Sequence, residues 1–160
     1  MNSIIDLPAS VTRESLIELE DHLKLSEIPT FEDDDWADAN EGGELVHEFA
    51  AGLYVRKAVV PAGMLFITKI HKKTHPYFML SGKCRVLTED GVEDMVGPRH
   101  GLTPAGTKRL IYVVEDVTWY TVHATDKLTP DEVEKEVIAK DYGELSFTSA
   151  EIKNLTKQKD

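Results

Sequence analysis

Two clusters of residues with chemical capability lie between Pro61 and His123. The first is Lys69-Ile70-His71-Lys72-Lys73-Thr74-His75, closed by Ser81-Gly82; the second is Pro104-Ala105-Gly106-Thr107-Lys108-Arg109, followed by Trp119-Tyr120-Thr121-Val122-His123. Side chains alternate faces along a strand, so His71 shares a face with Lys69, Arg109 with Ile111 and Val113, and His123 with Thr121 and Trp119. If those faces point inward, His71, His75 and His123 converge from three strands on one interior point. Three neutral imidazoles suit a divalent transition metal and leave coordination positions for water or substrate, as in a catalytic rather than a closed structural site. The expected cofactor is therefore iron, manganese, zinc or nickel, and the chain shows no nucleotide cofactor motif. The competing reading is a polar pocket without metal, with His75 displaced into a solvent loop by Lys72-Lys73-Thr74 before it and Pro76 after it.

Lys69 and Arg109 are the second distinctive pair. A charge inside a barrel is costly unless paired, so each needs a carboxylate of the protein or an anionic ligand. Arg109 offers a planar fork for a carboxylate or phosphate, and Lys69 a point charge. The alternative is a structural pairing with Glu48, Glu89 or Glu93, or an outward register. Tyr77 and Tyr112 are the candidate catalytic acids. His22 reads as a surface residue, and His47 and His100 as ordinary core or surface positions. Cys84 reads as a small strand residue without a histidine partner.

The elements that must position these residues follow from composition and pattern. With 160 residues and 41% hydrophobic content, the chain has length for one domain with a core and little room for a second. The formal charge of −11 opposes binding to nucleic acid or anionic membranes, since both depend on basic side chains. One cysteine allows no internal disulfide. No basic region precedes an apolar run at Met1-Asn2-Ser3, and no window reaches the roughly 20 apolar residues needed for a membrane span. The expectation is a cytoplasmic protein.

Thr12 is placed to cap a helix with Leu16, Leu19 and Leu23 at helical spacing. From Phe31 to Glu44 the acidic run around Trp36 predicts an exposed connection, with Trp36 anchoring it onto the barrel or a partner subunit. Strands are expected within Leu45 to Val60, then at 64–70, 77–80, 83–88, 92–96, 101–103, 109–114 and 117–124. Turns are read at Pro61-Ala62-Gly63, Ser81-Gly82, Glu89-Asp90-Gly91 and Glu115-Asp116. Thr129-Pro130-Asp131-Glu132 is a helix start, with Val133, Val137 and Ile138 as the apolar stripe. The stretch 148–160 predicts a short helix with a frayed tail.

These residues resemble the cupins. The cupin motifs read glycine, a spacer, His-x-His, three or four residues, Glu, about six residues, Gly; then Gly, a spacer, Pro-x-Gly, two residues, His. Gly63 and Gly82 match the ends of the first, and Pro104-Ala105-Gly106 the centre of the second, over about residues 52 to 125. Counting from Gly82, the glutamate position falls on His75, the second histidine on His71 and the first on Lys69; from Gly106, the last histidine falls on Arg109. The same stretches, with Thr121-Val122-His123, also resemble uncharacterised cupin-like proteins of tailed bacteriophages.

The resemblance implies a mostly β fold: a single cupin-type jelly-roll barrel over 51–127, an N-terminal helix and acidic segment over 1–50, and a C-terminal helix and tail over 128–160. It implies a small-molecule protein with a histidine metal site, His71, His75 and His123, and a cationic pocket, Lys69 and Arg109, for an anion. Three roles stay open: a metal-dependent enzyme, a non-enzymatic module sequestering an anion or nucleotide, and an assembly scaffold. A homodimer is expected, because small barrels expose faces and edges that need covering.

Overall fold

The computed structural model describes residues 12–25, 36–88 and 90–139. The expected tail helix at 148–160 and the acidic run before Trp36 lie outside them, as do the side chains of Leu19, His22 and Leu23. In chain order the elements are α1 (Arg13–Leu25), α2 (Trp36–Ala39), β1 (Glu44–Ala50), β2 (Leu53–Val60), β3 (Leu65–Ile67), β4 (Ile70–His71), β5 (His75–Thr88), β6 (Gly91–Val96), β7 (Arg99–Thr103), β8 (Leu110–Ala124), α3 (Pro130–Val137) and β9 (Ile138–Ala139). The architecture is the expected one, mostly β and antiparallel with a helix on either side of the strands in sequence. No helix among the described residues is long and apolar enough to cross a membrane.

Two long strands organise the barrel. The first part of β5 pairs with β7, its second part with β6, and both parts pair with β8. The last part of β8 carries β2, which carries β1, while its first part carries β3. All seven strands belong to one sheet, in which each long strand carries different neighbours along its two halves and bends between them. The bend lies where the β5–β8 register shifts, between Met79 and Cys84, opposite Glu115 and Asp116.

This corrects two expected turns. Ser81-Gly82 and Glu115-Asp116 do not reverse the chain; they are facing irregularities within continuous strands. Gly82 has φ +96°, and a Cβ there would collide with the Asp116 carbonyl oxygen, so the crossing of the two strands requires glycine. A third reversal was hidden in the alternating segment Leu45 to Val60. Ala51-Gly52, both with positive φ, close a hairpin between β1 and β2.

The core inside the barrel is built from Met79, Val86, Met95, Ile111 and Val113, with Trp36 buried among them. Within the segment expected to be an exposed connection, the helical turn α2 seats Trp36 on the barrel as its anchor, since a tryptophan buries a large apolar area once a shaped site exists for it. Helix α1 begins with a reciprocal cap, Ser15 N donating to Thr12 Oγ1 (3.1 Å) and Thr12 N donating to Ser15 Oγ (2.9 Å). It seats Leu16 against Ile67, Leu87 and Leu110.

Helix α3 starts as read: Thr129 Oγ1 accepts from Glu132 N, and Pro130 occupies the first turn. Val133 and Val137 pack against Tyr54 and Phe49, each burial contributing about 1.5–3 kcal/mol. Ile138 does not continue the helical stripe. It enters β9, which pairs with β4 through His71 opposite Ile138, and Lys72 N donates to Val137 O (2.7 Å).

Candidate metal centre

The site is assembled by three strands of different origin. His71 sits in the two-residue strand β4, tied to β9 on one side, with its carbonyl accepting from Gly106 N (2.8 Å). His75 opens β5 opposite Thr103 of β7, and His123 lies near the end of β8 opposite Tyr54 of β2. Their ring centroids are 4.2 Å apart for His71 and His75, 4.4 Å for His75 and His123, and 5.3 Å for His71 and His123. One ring nitrogen from each lies within 4.8 Å of the others. His75 is in the barrel wall and not in a solvent loop, with only 3% of its surface exposed.

Burial sets the protonation state. It holds His71 well below the usual imidazole pKa, helped by His75, His123 and nearby arginines. It brings His123 down to about 4, with contributions from His75, Arg56 and Lys73. His75 is also lowered, by burial first, against an opposing hydrogen bond to the Lys73 carbonyl (3.3 Å). A carbonyl only accepts, so His75 Nδ1 carries the proton and Nε2 presents its lone pair. Neither the His71 nor the His123 ring makes a hydrogen bond within the described residues. Three neutral imidazoles converging on one point, two of them without a hydrogen-bond partner, are a donor set that a divalent transition metal fits.

The triad faces a cavity of about 130 Å³ inside the barrel, whose lining includes Lys69 and Arg109. The two cations differ. Lys69 Nζ is 2.5 Å from Glu134 Oε1 of α3, so it is engaged by a carboxylate that was not among the acids considered for it. Arg109 has no carboxylate within ion-pair distance among the described residues. Its Nη2 donates to Thr103 Oγ1 (3.3 Å), and its buried Nε has no partner. Burial lowers its pKa, against the opposing influence of Tyr77, Cys84 and Glu93.

Neither tyrosine read as an acid lines this cavity. Tyr77 is buried in the core, stacked on Trp119 at 4.8 Å with its hydroxyl beside Gly101. Tyr112 alternates with the inward Ile111 and Val113 and points to the other face of β8. His47, read as ordinary, is in the lining, with Nδ1 2.6 Å from the Tyr54 hydroxyl. His100 stacks on Phe78 on the outer face. Cys84 lines the cavity as a thiol pushed up to about 11 by burial, which makes it a wall and not a nucleophile.

Comparison with known proteins adds structural neighbours of low similarity. No family model matches the chain, and no curated protein does. The cupin 2 domain of an XRE family transcriptional regulator from Enterobacter cloacae aligns with TM-score 0.44 and 7% identity over 54% of this chain and 99% of that one. A cupin-2 domain containing protein from Shewanella frigidimarina aligns with TM-score 0.44 and 10% identity over 64% and 98%. A variant of oxalate decarboxylase from B. subtilis aligns with TM-score 0.46 and 17% identity over 56% of this chain and 27% of that one.

Proposed function

We propose that the protein is a cupin-type metal protein: His71, His75 and His123 hold a divalent transition metal, and Arg109 orients a small anion beside it. The convergence of three neutral imidazoles from β4, β5 and β8, His75 and His123 buried and His71 partly so, carries this reading. Such a metal would supply Lewis-acid chemistry at its open positions and, as iron, oxygen activation. The chain's own contribution is to exclude water, fix the imidazole tautomer at His75 and provide a positive fork at Arg109. Lys69 is a structural partner of Glu134 in this account.

A binding module without turnover is the second reading. The placement of Tyr77 and Tyr112 away from the cavity favours it, because the expected proton donors do not reach a bound ligand. The cavity is also too small for a nucleotide, which narrows sequestration to a smaller anion.

Elemental analysis of untagged protein, beside His71→Ala and His123→Ala, tests the metal. About one transition metal per chain in the wild type, lost in both variants, is the expected outcome. Failure of the wild type to take up iron, manganese, zinc or nickel on reconstitution contradicts it.

A further inference from the structure

We propose that the anion is a short monocarboxylate with an apolar tail, gripped by Arg109 while its tail fills the barrel interior. This rests on the reading that the cavity takes an anion, and it specifies which.

Charge is the first argument. Four charged side chains line the cavity: Arg56, Lys69, Arg109 and Glu134. Lys69 and Glu134 neutralise one another, and Arg56 already has a partner. That leaves Arg109, whose one hydrogen-bonded neighbour at the guanidinium, Thr103, is neutral and cannot offset the charge. A buried guanidinium in this state is strongly destabilising unless an anion meets it, and a carboxylate matches its planar fork. With a single guanidinium available, a phosphate or sulfate dianion would be under-neutralised in the metal-free protein.

The wall is the second argument. Val60, Phe66, Ile111, Val113 and Val117 form a continuous apolar side of the cavity. Polar ligands gain nothing there, whereas each methylene buried against it strengthens binding about fourfold.

Size is the third. An apolar cavity of about 150 Å³ accepts benzene. The 130 Å³ here therefore accommodates about five or six non-hydrogen atoms, the size of propionate or butyrate. Octanoate exceeds it, and acetate leaves the wall uncovered.

The test is calorimetric titration of the full-length protein, metal-free and zinc-loaded, with acetate, butyrate, valerate, octanoate and inorganic phosphate. Affinity is expected to rise about fourfold per methylene from acetate to butyrate and to fall at octanoate, with phosphate weaker than butyrate in the metal-free protein. Arg109→Gln is expected to weaken butyrate binding at least tenfold and Arg109→Lys less. Because the chain-length series uses the wild type, it decides the matter even if the Arg109 variants do not fold. Equal affinity across the series, or phosphate binding to the metal-free protein as tightly as butyrate, overturns the proposal. Zinc uptake with no carboxylate bound overturns it alone, and carboxylate binding without zinc uptake upholds it while overturning the metal reading.

Discussion

His123 shows how a single residue's environment decides its chemistry. Its pKa of about 4 against about 6.5 in an unfolded chain means that the folded protein resists protonation where the unfolded chain accepts it. The unfolded state then binds more protons below pH 6.5, so stability is full above that value and is lost as pH falls toward 4. His71 and His75, also lowered, act in the same direction. For metal-free protein, urea unfolding at pH 7.5 and pH 4.5 should differ by about 3 kcal/mol from His123 alone. A midpoint independent of pH in this window would mean that the histidines are hydrated and not buried. The convergence of these three residues was legible because strand alternation fixes which side chains share a face. The partner of Lys69 was not, because Glu134 lies 65 positions along the chain, on an element that only tertiary packing brings to the mouth of the cavity.

At the scale of elements, glycine and acidic pairs were ambiguous. Ser81-Gly82 and Glu115-Asp116 have turn composition, but a bulge uses the same residues, and only the pairing of β5 with β8 distinguishes the two. Gly82→Ala should therefore destabilise by more than about 1 kcal/mol, since it meets both a positive φ and the Asp116 carbonyl. Wild-type stability in thermal unfolding would show instead that the strands can part there. The helix starts at Thr12 and Thr129 were legible from local capping chemistry alone. What packs beneath them was not: Leu16→Ala should cost about 2–5 kcal/mol, because it opens a cavity against Ile67, Leu87 and Leu110. A denaturant midpoint shift below 1 kcal/mol would place α1 off the barrel. Strand β4 was read as the end of a longer strand, but it pairs instead with β9, so the position of His71 depends on residues that follow α3.

For the whole molecule, the outer face of β5 and β7 is the feature that composition could not reveal. Phe78, Leu80 and Leu102 are 40%, 53% and 67% exposed on this face, with Pro76 and His100 between them. Contiguous apolar exposure of this kind marks an interaction surface, and a second copy of the chain is the proposed occupant. Light scattering should give a dimer for the wild type and a monomer for Leu102→Glu; a monomeric wild type would contradict this. The metal remains the central claim, and X-ray absorption at the zinc edge of reconstituted protein tests it most directly. The account predicts three imidazole nitrogens at about 2.0–2.1 Å, with one or more oxygen ligands completing the shell. Fewer than three imidazoles, or an unaltered spectrum in His123→Ala, would contradict it.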